Sequence, residues 1–173
     1  MNSLQLERGI LLEDIAILLP WGASPRSLRR LGKPQVGRLT DRVRLFWTGH
    51  ILLGGLKCQV EATFWKNQPA SSKISNMNDC LELVFLNFPA SISLNPRVQH
   101  TDLKAQLTRV LGLPTFDGKG EYPDSDLPST EWNLEAALIV LNVVERFGEY
   151  CVGEIWHKPL PTWRVARTNQ KGA

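Results

Sequence analysis

The chain has 173 residues, 43% of them hydrophobic and 21% charged, with a formal net charge of +3. That balance excludes wholesale disorder, and the length suits one domain or two small fused units. A charge this modest does not argue for nucleic acid, and no apolar run reaches the length needed to cross a bilayer.

Residues 1–8 lack the charged-then-apolar order of a signal peptide, and Glu13 and Asp14 interrupt the hydrophobic run that follows, so a cytoplasmic protein is expected. Residues 11–19 carry Ile15, Ile17, Leu18 and Leu19 and read as a strand, or as a short helix leading into one. Pro20-Trp21-Gly22 breaks that element. Ser24 and Pro25 then supply an N-cap and a first-turn proline for a helix over 26–31, which stops at Gly32 with Pro34 beyond.

The clearest signal lies at 56–65. Leu56, Cys58, Val60, Ala62 and Phe64 alternate with Lys57, Gln59, Glu61, Thr63 and Trp65, the pattern of a half-buried antiparallel strand. Leu45-Phe46-Trp47 reads as its hairpin partner, with Gly54-Gly55 available for a turn or a bulge. Residues 67–78 read as a loop, 80–88 as a strand and 89–96 as irregular. Thr101 caps a predicted helix over 102–111, whose Leu103, Leu107, Val110 and Leu111 share a face and which ends at Gly112. An acidic loop over 117–130 follows. The β-branched run 138–144 predicts a strand, 151–156 predicts the last one, and 158–173 is a polar tail.

Charge is unevenly spread along this order. Arg26, Arg29, Arg30, Lys33, Arg38, Arg42, Arg44 and Lys57 stand against Asp41 alone between 20 and 60. Asp117, Glu121, Asp124, Asp126, Glu131 and Glu135 stand against Lys119 between 115 and 135, so the molecule is expected to be electrostatically two-sided.

Little points to catalysis. Cys58, Cys80 and Cys151 are widely spaced within apolar runs and read as buried free thiols. His50, His100 and His157 show no metal-ligand spacing, Asp124 and Asp126 lack the EF-hand pattern, and neither Gly54-Gly55 nor Gly118-Lys119-Gly120 has the context of a phosphate loop. A Cys151–His157 dyad is conceivable on paper, against the plainer reading of a core thiol and a surface histidine. No enzyme, cofactor or metal is expected.

Leu31-Gly32-Lys33-Pro34 and Leu111-Gly112-Leu113-Pro114 share Leu-Gly-x-Pro at an offset of 80 residues, and each is followed by a tryptophan, Trp47 or Trp132, and then by strands. This arrangement resembles the tandem helix–sheet repeat of β-lactamase inhibitor protein and of small outer-membrane assembly lipoproteins. The layout of Leu19 to Gly22, Leu31 to Pro34, Trp47 and Leu53 to Leu56 also resembles cytoplasmic immunity proteins of bacterial polymorphic-toxin systems. Those proteins bind a cognate toxin domain and block it.

The expected fold is therefore α+β: two similar units, each a short helix packed on an antiparallel three- to four-stranded sheet. Residues 1–88 form the first unit, 89–163 the second packed on it, and 164–173 a polar tail. The resemblance implies a non-enzymatic immunity protein whose partner is a toxin domain. The alternative is a nucleic-acid-associated module using the basic stretch 26–44. The acidic segment would suit a basic cleft in the partner, which nominates Asp117, Glu121, Tyr122, Asp124, Asp126, Glu131 and Trp132 as the partner-binding residues.

Overall fold

The alternating stretch forms β5, Leu56–Trp65, in a computed structural model that describes residues 4–65, 80–88, 95–120 and 126–165. Leu56, Cys58, Val60, Ala62 and Phe64 are all buried on one face, each larger side chain contributing roughly 1.5–3 kcal/mol of burial. Its partner is β4, Arg42–Leu52, which carries Val43, Leu45 and Trp47 onto the same face. The register slips between Trp47 and His50, where Gly49 at φ 78° makes room for a bulge. Leu53, Gly54 and Gly55 turn the chain between the two strands.

Six further strands extend this pair: β3 (Gln35–Arg38), β6 (Leu83–Asn87), β7 (Phe116–Lys119), β8 (Pro128–Asn133), β9 (Ala137–Glu145) and β10 (Glu149–His157). The order is β3-β4-β5-β6-β10-β9-β8-β7, and every neighbouring pair is antiparallel. The two sequential runs meet where β6 pairs with β10, Leu86 lying opposite Gly153. That seam is tight, since a Cβ on Gly153 would stand 3.1 Å from Leu86.

The α+β expectation of two units, each a short helix on its own three- to four-stranded sheet, is corrected by this architecture. The described residues are mostly β, with one continuous eight-stranded sheet and a separate two-stranded one. The reason is physical. α2, Pro25–Leu28, is a single turn that buries Leu28 alone and cannot cover half a sheet. The hairpin of β1 (Gly9–Leu12) and β2 (Ile17–Pro20), preceded by the short α1 (Leu4–Arg8), does much of that covering, with Ile10, Leu12 and Leu19 in the same core as β4 and β5.

Glu13 and Asp14, which break the hydrophobic run, hold that hairpin down. The Glu13 carboxylate accepts from the Gly54 and Gly55 amides at 2.8 and 3.2 Å. Asp14 accepts from the Ile51 amide at 3.0 Å and lies 2.9 Å from His50 Nδ1, and the Ile51 bond first, then His50, holds its pKa low.

The long helix, α3, runs over Pro96–Leu111 and not from Asp102. Asn95 accepts from the Arg97 amide and Pro96 opens the first turn, an equally good start signal one and a half turns upstream. Thr101 is consequently mid-helix and donates to the Arg97 carbonyl. α3 places Leu107 and His100 against β8–β10 on the core face. The acidic segment is less irregular than expected, because Asp117 and Thr130 pair across β7 and β8. The predicted loop at 67–78 lies outside the described residues, as does most of 89–96. Among the described residues, no helix is long and apolar enough to cross a membrane.

Candidate functional site

The hairpin, α2 and α3 pack on one face of the sheet, and the other face carries a groove of about 1130 Å³. Strand register dictates what stands on that face. One row crosses all eight strands: Gln35, Phe46, Glu61, Phe85, Glu154, Val140, Glu131, Phe116. Its three glutamates recur on every second strand, about 10 Å apart, with aromatic or β-branched side chains between them.

Each glutamate is held differently. Glu61 accepts from Arg44 Nε at 2.7 Å, from Thr63 Oγ1 at 3.1 Å and from Asn87 Nδ2 at 3.4 Å. Glu154 accepts from Trp156 Nε1 at 2.7 Å. Glu131 is buried beneath the C-terminal segment, where a helical turn at 162–165 sets Arg164 Nη2 3.6 Å away. The Arg164 guanidinium also lies 5.6 Å from the Trp156 ring, and Trp163 meets that ring edge-on at 5.4 Å. Residue 164, expected to open a polar tail, is thus buried against Trp156, which belongs to a small second core with Leu83, Leu138, Val140 and Leu160.

The far end of the groove is walled by the β9–β10 hairpin, through Glu145, Arg146, Glu149 and Tyr150. Arg97 braces that wall. Its guanidinium donates to both carboxylate oxygens of Glu149, at 3.0 and 2.8 Å, and to both of Asp126, at 3.0 and 2.9 Å. These charge-assisted pairs lower the pKa values of Glu149 and Asp126 and push that of Arg97 higher still, with the Glu149 bond first in importance. Glu149 and Asp126 are therefore held below the usual carboxylate range.

The nominated residues divide between two faces. Asp126 and Glu131 belong to the groove side, Asp126 at the rim and Glu131 under Arg164. Asp117 faces α3, accepting from Lys104 Nζ at 2.9 Å and Thr130 Oγ1 at 2.9 Å. Burial pushes its pKa up, but those bonds outweigh it and hold the carboxyl low. Trp132 lies in the main core at 1% exposure, with its indole N–H on the Gly112 carbonyl. Glu121, Tyr122 and Asp124 lie outside the described residues. Glu61, Glu145, Tyr150, Glu154 and Trp156 escaped the sequence reading. The polar half of the β5 alternation points to Glu61, but its neighbours across β6 and β10 follow only from the register.

The basic stretch 26–44 is split as well. α2 and its arginines lie on the hairpin side, whereas Arg42 pairs with Asp41 at 2.9 Å and Arg44 with Glu61 on the groove side. Cys151 and His157 are six residues apart on β10, about 20 Å, and form no dyad. Cys151 is buried in the core, and His157 stacks on Trp21 at 5.2 Å between ring centroids. Among the described residues, no three His, Cys, Asp or Glu side chains converge as metal ligands. Comparison with protein-family models, curated proteins and solved structures finds no match to this chain.

Proposed function

We propose that this chain is a non-enzymatic inhibitor that lays its groove on the basic surface of one protein partner, in the manner of an immunity protein on a toxin domain. One observation carries the reading. Glu61, Asp126, Glu145, Glu149 and Glu154 line the groove against Arg44, Arg146 and Arg164, an acidic balance on a chain whose net charge is +3. Phe85, Tyr150, Trp156 and Trp163 stand among those carboxylates. Aromatic area supplies affinity at such a surface, and complementary charge supplies association rate and register. A toxin domain that handles nucleic acid or nucleotides needs a basic cleft to hold phosphate, and an acidic groove fits over one.

The test takes a toxin-like domain from a reading frame beside this one, where one is encoded, inactivated for binding work and active for growth assays; no such domain among the neighbours would count against the reading. Co-expression should restore growth, and the purified pair should form a complex. Glu145→Lys with Glu154→Lys should slow association and flatten its salt dependence while circular dichroism stays unchanged. Unchanged association at low and high salt would remove the groove from the interface. Failure to bind the domain, with salt-sensitive RNA binding in its place, would overturn the reading.

A further inference from the structure

One large apolar side chain beyond the groove's end is left almost wholly in solvent. Phe147 is 97% exposed at the tip of the β9–β10 hairpin, and the Arg146 guanidinium lies 5.5 Å from its ring centroid. Its surroundings are ordered. Glu145 and Glu149 pair directly below the tip, and Arg146 N–H reaches the Gly148 carbonyl at 3.4 Å. Gly148, at φ 136°, turns the chain in a conformation that other residues rarely adopt. Below that, the two bonds from Arg97 to Glu149 tie the hairpin to the start of α3. The ring is thus presented on a braced support, with little ordering left to do on contact.

Its position is as informative as its exposure. Glu145, Arg146, Glu149 and Tyr150 all line the groove, and Tyr150 is itself 47% exposed. Any partner lying along the acidic groove meets Phe147 at its end. A single exposed apolar residue is ordinary on a protein surface. A phenyl ring at a stiffened tip, with Arg146 beside it, Glu145 and Glu149 at the base of its hairpin and a groove continuous with that hairpin, has the form of an interface anchor.

We propose that Phe147 is that anchor, and that it enters an apolar pocket whose rim is basic on a folded protein partner. The basic rim follows from the charge around the tip, where Glu145, Glu149 and Asp126 outnumber Arg97, which pairs with the last two, and Arg146, which lies against the ring. The inference rests on the groove reading, and the experiment separates the two. Leu113 serves as the matched control, because it is 86% exposed and does not line the groove.

The full chain and its Phe147→Ala, Phe147→Leu and Leu113→Ala variants are titrated against an inactivated toxin-like domain that the parent chain is tested against in the same series, alongside Glu145→Lys with Glu154→Lys. Phe147→Ala should weaken binding about 30-fold or more, mainly through faster dissociation, and Phe147→Leu should recover a large part of the loss. Leu113→Ala should bind as the parent does, and all three single variants should keep the parent's thermal midpoint. Loss of binding in the groove variant with Phe147→Ala unaffected would overturn this inference and leave the groove reading standing. Parent protein that fails to bind would overturn both. A concentration-dependent dimer abolished by Phe147→Ala, with partner binding intact, would reassign the ring to self-association and overturn the inference too.

Discussion

Trp47 and Trp132 hold matching places in the sheet. Each stands on the second strand of its run, each is 1% exposed, and each donates its indole N–H to a carbonyl where a helix has just ended. Trp47 reaches Leu31 at 2.8 Å and Trp132 reaches Gly112 at 3.0 Å. Both carbonyls belong to a Leu-Gly-x-Pro segment, so the indoles satisfy acceptors that the helix ends leave unpaired.

Trp47→Phe and Trp132→Phe should each destabilise the protein by about 1–3 kcal/mol, because each takes the donor from a part-buried carbonyl and leaves a void in the core. Urea denaturation of both singles and the double checks this. The sites share no bond, so the losses should add to within about 0.5 kcal/mol. A neutral single variant would mean that the carbonyl finds water instead.

The buried pair of Glu131 and Arg164 makes an asymmetric prediction. Glu131→Gln or Arg164→Met alone should cost about 3–5 kcal/mol, since each leaves one charge buried without its counter-ion. Glu131→Leu combined with Arg164→Met should cost less than either single change. A double variant as damaged as the sum would show that the two side chains stabilise the fold independently and are not coupled as a pair.

Thiol chemistry should be sharply selective. Burial pushes Cys58 and Cys151 up to about 12, which leaves almost no thiolate at neutral pH. Cys80 is only half-buried, with Sγ 3.5 Å from Glu82 Oε1. A thiol reagent at pH 8 should modify Cys80 in the native protein and reach the other two only on unfolding, as mass spectrometry of the adducts will record.

Acid should act in two steps. Burial lowers the pKa of His100, whose Nε2 lies 3.3 Å from the Leu141 carbonyl, and that of His157. The unfolded chain therefore takes up these protons first, and stability falls as pH drops below about 6.5. Asp14, Asp117, Asp126 and Glu149 have lowered pKa values, so their contribution is full above about 4.5 and is lost as pH falls further. Urea midpoints between pH 8 and 3 should show both declines, and replacing His100 and His157 by glutamine should remove the first.

The local parts of this fold were legible because side-chain alternation is a local property. β5 could be read residue by residue, and the β-branched residues at 138–144 announced β9. The start of α3 was missed because Asn95-Pro96 and Thr101 are rival signals, and only packing against β8–β10 chooses between them. The helix-on-sheet reading failed for a similar reason: nothing local says that α2 stops after one turn or that a hairpin does the covering. The groove was illegible for a different reason. Its row of glutamates exists because Phe85 on β6 lies opposite Glu154 on β10, a pairing set by the whole topology. Asp117 and Trp132 look as available in sequence as Asp126, yet strand pleat turns them toward the core face.

The two ends of the sheet bear on how the molecule behaves at high concentration. An open sheet offers unpaired N–H and C=O groups along both outer strands, a template on which further strands can add without limit. Among the described residues those strands are β3 and β7, four residues each, reading Gln-Val-Gly-Arg and Phe-Asp-Gly-Lys. The third residue of each is a glycine under an aromatic ring: a Cβ would stand 3.2 Å from Phe46 at Gly37 and 3.0 Å from Phe116 at Gly118. The fourth is a cation, Arg38 or Lys119, which resists desolvation against another chain. The long ladders of β4, β5, β9 and β10 are all interior, so the edges presented for growth are two short, glycine-weakened ribbons, each closed by a cation.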